Sequence, residues 1–146
     1  MLGSQNIASE SVVETTEQIQ AQTNALLTTQ ATGGTLTADG TEQNLYYDNE
    51  PLGVFRPIAL ILDLDAMQDG DKGGDTVVIK VYHRLSDGGG LQLLCYETWT
   101  GADGGLANGE KLDTVELYPN RHGFRITFQQ TAGTNRTYPW ELYLGV

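Results

Sequence analysis

Apolar and polar residues alternate along most of the chain after residue 34, in short runs that turn residues separate. Val77, Ile79 and Val81 fall on one side of such a run, and Lys80 falls on the other. A period of two is typical of β-strands that bury one face. Eight runs of this kind lie at residues 35–38, 43–48, 56–65, 76–85, 91–100, 110–118, 123–131 and 136–145. The pattern therefore predicts an all-β domain of about eight strands.

The links between the runs are short and rich in turn-forming pairs. The pairs are Asp39-Gly40, Asp69-Gly70, Asp87-Gly88, Asp103-Gly104 and Asn108-Gly109. Such pairs favour tight turns, and short links between alternating strands predict a single β-sandwich or jelly-roll-like domain. The run from Ile58 to Leu64 is apolar on both sides, which predicts a central strand covered on both faces. Pro139 predicts an edge strand or a bend in the last run.

The segment at residues 11–30 contains no glycine or proline and has a different pattern. Ser11 and Glu14 have the spacing of a helix capping box. Apolar residues recur at a strict spacing of seven, with a second apolar line beside them. The residues concerned are Val12, Val13, Ile19, Leu26 and Leu27. A stripe this narrow resembles a coiled-coil seam, so we predict a short N-terminal helical arm that docks through these side chains.

This arm needs a partner because an isolated helix of its length and threonine content is marginal in water. Three partners fit the pattern: copies of the arm itself, a groove on another protein, or the domain's own sheet. For self-association we prefer a trimer, because symmetric packing would bury the stripe. Gly33 and Gly34 predict a hinge. We therefore divide the chain into an arm with its hinge at residues 1–34 and a β-sandwich at residues 35–146.

The charge of the chain narrows the set of partners. The net charge is −11, the sequence pI is about 4.3, and the eight basic residues are scattered. Nucleic-acid binding needs clustered lysine and arginine, so we predict no nucleic-acid partner. Both an ordinary acidic surface and an adaptation to high salt fit this composition. The N-terminus lacks the basic region of a signal peptide, and no run is long enough for membrane insertion, so we expect synthesis in a host cytoplasm.

A metal site is the strongest chemical candidate, in the acidic stretch between two predicted core strands. Its carboxylates are Asp63, Asp65, Asp69, Asp71 and Asp75. Oxygen-rich loops can bind calcium, but the spacing of the EF-hand is absent, and an acidic hairpin loop explains the same residues. His83 and His122 are far apart and belong to no cluster, so zinc is not indicated. We predict no metal site.

Catalytic signatures are also missing from the pattern. No G-x-S-x-G elbow is present, and the glycine-rich stretches do not precede a helix. Glu97, Glu116 and Glu141 lie in strands with nothing to pair them across a cleft. Cys95 lies inside a strand run and is expected to be a buried, inert thiol. We predict that the chain is not an enzyme and has no catalytic residue and no cofactor.

The aromatic residues leave three interpretations open. Trp99, Trp140 and all seven tyrosines lie in the strand runs. They can belong to the core, anchor a protein interface, or stack on sugar rings. The last possibility gives an alternative function, a carbohydrate-binding or adhesin-type sandwich that recognises a host-surface glycan through exposed aromatics such as Trp99 and Trp140.

Two stretches of the chain resemble a known group of proteins. They are "TGGTLTADGTEQNLYYDNEPLGVFRPIALILDLDAMQDGD" and the closing "QQTAGTNRTYPWELYLG". Together with the helical arm and the Gly-Gly pair, they resemble small virion structural proteins of tailed viruses, including those of archaeal hosts. The resemblance implies a virion protein that decorates a capsid or belongs to a turret or fibre base. It also implies many copies and docking on a capsid or tail protein.

Overall fold

The computed structural model describes residues 17–19, 31–48, 56–68, 74–102, 105–106 and 108–145. Within these residues the fold is almost entirely β, with backbone of helical form at residues 17–19. The described strands are β1 (Ala31–Thr37), β2 (Gln43–Asp48), β3 (Arg56–Asp63), β4 (Thr76–His83), β5 (Gln92–Ala102), β6 (Gly105–Leu106), β7 (Leu112–Glu116), β8 (Phe124–Ala132) and β9 (Thr137–Gly145). The predicted all-β fold class is confirmed.

The strands form two antiparallel sheets that pack face to face. The first sheet has the order β1-β9-β3-β7, and the second has the order β2-β8-β4-β5-β6. Apart from the two-residue β6, the strands pair in a nested way: β1 with β9, β2 with β8, β3 with β7, and β4 with β5. This nested pairing is that of one long hairpin whose closed end is β4–β5. When the hairpin rolls up, the β1–β9 and β3–β7 pairs fall in the first sheet, and the β2–β8 and β4–β5 pairs fall in the second. The result is a jelly roll, as the short links predicted.

The core lies between the sheets because the strands alternate as the sequence predicted. Leu60 and Leu62 of β3 point inward from the first sheet, and Ile79 of β4 with Phe124 and Phe128 of β8 points inward from the second. Each of these side chains is fully buried. Burial of one such side chain stabilises the fold by roughly 1.5–3 kcal/mol. This core holds the outer faces of the two sheets in fixed positions.

The expected hinge at Gly33 and Gly34 is part of strand β1. These residues lie opposite Glu141 and Trp140 of β9. A Cβ atom at Gly33 would lie 2.6 Å from the carbonyl oxygen of Trp140, so glycine allows a close approach of the two strands here. The sandwich therefore includes Ala31 and begins before the predicted boundary at residue 35.

The structure modifies two predictions about individual strands. Strand β9 is an inner strand between β1 and β3, although it contains Pro139. Its pairing with β3 ends at Trp140, so at Pro139 only β1 lies alongside and the proline is tolerated. Strand β3 is central, but only its inner face is covered by the other sheet. On its outer side Ile61 is half-buried.

No helix among the described residues is long and apolar enough to cross a membrane.

Candidate functional site

The predicted docking residues of the arm lie mostly outside the described residues. Val12, Val13, Leu26 and Leu27 are outside them. Ile19 has helical backbone, and its side chain is 58% exposed. The helical arm and its docking role remain predictions.

The acidic stretch that could have held calcium contains a carboxylate with a structural role. Asp75 is 1% exposed and forms an ion pair of 2.5 Å with Nε of Arg136. Its Oδ1 accepts hydrogen bonds from the Thr134 backbone N–H at 3.0 Å and the Gln130 amide at 3.1 Å. Its Oδ2 also accepts a bond of 2.8 Å from the backbone N–H of Gln68. Asp75 therefore ties the β3–β4 connection to the β8–β9 turn.

The other described carboxylates of this stretch have separate partners. Asp63 accepts a hydrogen bond of 2.9 Å from the Asp65 backbone N–H, and Asp65 pairs with Lys111 at 2.8 Å. Asp69 and Asp71 lie outside the described residues. Within the described ranges, no three His, Cys, Asp or Glu side chains come together as a metal-binding group.

The two tryptophans proposed for sugar stacking are both at least half-buried. Trp99 is 8% exposed, and its indole N–H donates a hydrogen bond of 2.5 Å to Asp113. Trp140 is half-buried and packs against the core. The exposed aromatic residues are Tyr47, Tyr96, Tyr118 and Tyr143. On the described part of the chain, the exposed aromatic rings available for recognition are therefore those of tyrosines.

The remaining candidates for chemistry are two histidines and the cysteine, which lie in different elements of the fold. His83 is 7% exposed on the inner face of β4, and burial lowers its pKa. Cys95 is half-buried, and burial, followed by the charge of Glu97, raises the pKa of its thiol. A raised pKa keeps the thiol protonated and a poor nucleophile. His122 lies in the turn before β8, where its backbone N–H is bonded to Asn120.

A polar network covers the outer face of the second sheet. The carboxylate of Glu42 accepts hydrogen bonds from the hydroxyls of Tyr82 at 2.5 Å and Thr127 at 2.7 Å. These two bonds, followed by the nearby charges of Lys80 and Arg125, hold the pKa of Glu42 below its ordinary value of 4.5. Glu42 therefore stays ionised on this face in weakly acidic solution.

Two arginines on the same face are held by neighbouring side chains. The guanidinium of Arg125 lies 5.6 Å from the centre of the Tyr82 ring and donates a hydrogen bond to Asn44. Arg84 donates a bond of 2.6 Å to the hydroxyl of Tyr47. These contacts fix the positive charges in position, as a binding face requires.

Strand β5 gives this sheet an apolar free edge. Among the described strands, β6 pairs only with its last two residues, Gly101 and Ala102. Leu93, Leu94 and Tyr96 are 50%, 46% and 65% exposed. Folded proteins usually protect such edges with charge, proline or short length. An edge of this length and composition is typical of an interaction surface.

The outer face of the first sheet contains a groove of about 380 Å³. Its lining residues are Ile61, Asp63, Leu112, Pro139, Trp140, Glu141 and Tyr143. The charge of Glu141, together with its hydrogen bond to the phenol, raises the pKa of Tyr143. Leu112 is 60% exposed beside it. The groove thus combines apolar walls with two carboxylates.

Sequence reasoning reaches only part of this arrangement. Alternation within the runs predicts that Lys80, Tyr82 and Arg125 point away from the core. Glu42 lies before β2, outside every predicted strand, and is 85 residues from its partner Thr127. No local signal in the sequence joins those two positions.

Comparisons with known proteins give partial structural likenesses. No protein-family model matches the chain, and no curated protein matches it. The Yersinia pseudotuberculosis-derived mitogen is 14% identical with a TM-score of 0.41, covering 77% of this chain and 84% of that chain. A chain from the capsid of Ralstonia phage GP4 is 17% identical with a TM-score of 0.43, covering 80% and 84%. A chain of infectious bursal disease virus, Gt strain, is 12% identical with a TM-score of 0.38, covering 78% and 29%. Likenesses this distant decide neither family nor function.

Proposed function

We propose that this chain is a virion structural protein that decorates a capsid or forms part of a turret or fibre base. It is not an enzyme. It self-associates, as a trimer, through its N-terminal arm and docks on a capsid or tail protein. The jelly-roll topology carries this proposal, because jelly rolls are a recurrent architecture of capsid proteins. Since one fold serves many functions, the proposal needs a test of assembly.

The surface of the sandwich supports an assembly role. The enclosed polar groups, such as Asp75 and His83, belong to the core or connect its elements. The exposed apolar side chains Leu93, Leu94 and Tyr96 lie along the free edge of β5. Apolar exposure in a continuous strip favours contact with another protein.

The test compares oligomeric mass between variants of the full chain. In a helical arm, Ile19→Asp with Leu26→Asp places charge in the predicted seam. Ala21→Asp with Thr28→Asp places the same charge about 200° further round the helix and is the matched control. We expect light scattering in about 1 M salt, which screens contacts between charged faces, to give a trimer for the parent chain and the control, and a monomer for the seam variant. An unchanged mass in the seam variant would contradict docking through the arm, and a monomeric parent chain would contradict self-association.

A truncated chain for the same test must keep strand β1. A chain starting at Gly34 would lose Ala31, Thr32 and Gly33, which pair with β9. A chain starting at Ala31 keeps these pairs and removes the predicted helix. We expect this chain to be folded and, in about 1 M salt, monomeric.

A second candidate function, a carbohydrate-binding or adhesin module, is favoured by the groove on the first sheet. Tyr143 supplies a partly exposed ring there, beside the carboxylates of Asp63 and Glu141. Aromatic rings with adjacent hydrogen-bonding groups suit sugar recognition, and jelly rolls also occur in lectins. Glycan-array binding that Tyr143→Ala abolishes and Tyr118→Ala preserves would support this function. Binding that survives Tyr143→Ala would remove the groove as its site.

A further inference from the structure

The outer face of the first sheet is acidic. Asp63, Glu116 and Glu141 occupy positions that alternate with buried residues on β3, β7 and β9. Among the side chains that the structure describes on this face, none is lysine or arginine. Lys111 lies just before β7 and is paired with Asp65 at 2.8 Å. This face therefore presents negative charge around the groove.

The outer face of the second sheet carries the opposite charge. Lys80 and Arg125 face outward from β4 and β8, and Arg84 joins them through its bond to Tyr47. Glu42 is the acidic side chain of this network, and it accepts hydrogen bonds from the hydroxyls of Tyr82 and Thr127. In a chain with a net charge of −11, three of the eight basic residues thus lie together.

The two faces also complement each other in their apolar parts. Tyr96 lies opposite Lys80 in the β4–β5 register and is 65% exposed, with Leu93 50% exposed on the same strand. The groove on the first sheet has apolar walls that include Ile61 and Leu112. An exposed aromatic ring beside a cation fits a groove with apolar walls beside carboxylates.

We propose that the outer face of the second sheet in one copy docks on the outer face of the first sheet in the next copy. Tyr96 enters the groove, and Lys80 lies against Glu141. The occupant is a second copy because each chain carries both complementary faces. The contact is head-to-tail, so it builds a ring where the rotation closes and a filament where it does not. This inference deepens the proposed function by adding a contact that is separate from the N-terminal arm.

The test uses charge reversal in the full chain. Lys80→Glu places a carboxylate against Glu141 of the next copy, and Glu141→Lys places an ammonium against Lys80. We expect each variant alone to associate at least about tenfold more weakly than the parent chain in sedimentation at low salt. Salt of 1 M should weaken parent association, because its Debye length is about 3 Å. A parent chain that gains no mass with concentration beyond its arm-mediated state would overturn the proposal.

Mixing the two variants gives the decisive result. Each head-to-tail contact in the mixture can pair the reversed face of one variant with the reversed face of the other, or two original faces. We therefore expect an equimolar mixture to recover association to within about threefold of the parent chain, in alternating order. A mixture that stays as weak as its components would overturn the proposal.

Matched controls separate this contact from a general effect of charge. Arg121→Glu and Glu110→Lys make the same charge changes at exposed turn positions outside both faces. We expect neither to change association by more than about twofold. Circular dichroism checks folding, and Tyr96→Ser tests the same contact should Lys80→Glu fail to fold. An unchanged association constant in Tyr96→Ser would count against the proposal.

The arm variant separates this inference from the proposed function. Chains with Ile19→Asp and Leu26→Asp should lose the arm-mediated trimer but keep the recovery on mixing Lys80→Glu with Glu141→Lys. If chains with an intact arm form trimers but show no recovery on mixing, the face contact is contradicted and the docking of the arm is not. If the arm variant still forms a trimer, the docking of the arm is contradicted and the face contact is not.

Discussion

Asp75 and Glu42 are two carboxylates that both accept several hydrogen bonds but lie in different surroundings. Asp75 is 1% exposed and accepts bonds from Arg136, Gln130 and two backbone N–H groups. Glu42 is half-buried on an outer face and accepts bonds from two hydroxyls. Water can replace the partners of the second carboxylate but not those of the first. The same chemistry is therefore structural in one place and available for recognition in the other.

The position of Asp75 explains its burial. It precedes β4 in the second sheet and contacts the turn that leads into β9 in the first. Gln130 extends the network to Tyr138, whose hydroxyl donates a bond of 3.0 Å to its amide oxygen. Burial, followed by the charge of Asp75, raises the pKa of Tyr138 to about 12. The network thus holds the two sheets together at one end of the sandwich.

Of the changes that test this comparison, removal of the buried carboxylate should have the largest effect on the free energy of unfolding. Asp75→Ala leaves the Arg136 guanidinium and two backbone N–H groups without this acceptor, and removes one of the acceptors of Gln130. We expect the free energy of unfolding to fall by about 3–5 kcal/mol, measured by urea denaturation. Asp65→Ala is the control, because its ion pair with Lys111 is exposed and worth about 1 kcal/mol or less. Equal losses of unfolding free energy in the two variants would show that burial does not make the Asp75 carboxylate more important for stability.

Crowding the same carboxylate tests how tightly the network is packed. Gly133 has a φ of +86°, and a Cβ atom there would overlap the Asp75 carboxylate and lie 2.7 Å from the Gly74 carbonyl oxygen. Gly40 has a φ of +84°, with no described atom within 4 Å of its Cβ position. Gly40→Ala should therefore cost only the backbone strain of about 1–2 kcal/mol. We expect Gly133→Ala to cost about 1–2 kcal/mol more in thermal or urea unfolding. Equal costs would mean that the turn moves away without loss.

The strands were predictable because their pattern is local. The strand at residues 43–48 is found with the predicted bounds, since a half-buried strand requires alternation along its own length. Strand β6 has two residues, Gly105 and Leu106, and is too short to carry any period. The free edge of β5 was not predictable either, because an edge depends on which strands pair and not on its own residues.

The networks were unpredictable because their members are distant in sequence. Asp75 and Arg136 are 61 residues apart, and Glu42 and Tyr82 are 40 residues apart. The acidic stretch stands out in the sequence, but its pattern does not distinguish a calcium loop from a carboxylate paired with a distant arginine. Trp99 looked available for sugars because alternation alone does not reveal its bond to Asp113. The sequence therefore predicts which side of a strand a residue faces, but not which distant residues it contacts there.

The smallest effect is expected at the half-buried carboxylate of Glu42, and it depends on pH. Because the pKa of folded Glu42 lies below 4.5, the folded state binds fewer protons there than the unfolded state in acid. Its stabilisation is complete above about pH 4.5 and disappears as the pH falls through the lowered pKa. Glu42→Gln should cost about 1 kcal/mol or less at pH 7, and its unfolding free energy should approach that of the parent chain as this window is crossed.

Tyr82→Phe provides the control for this last prediction, because the Tyr82 hydroxyl is the largest cause of the lowered pKa of Glu42. In chains that carry Tyr82→Phe, Glu42→Gln should change the free energy of unfolding by less than it does in the parent chain. The pH at which half of this change is lost should move toward 4.5. Urea unfolding between pH 3 and pH 7, pH values roughly spanning this window, measures both changes. A difference that is independent of pH would contradict a role for the charge of Glu42. The outer network would then act through packing, and its comparison with the Asp75 network would no longer hold.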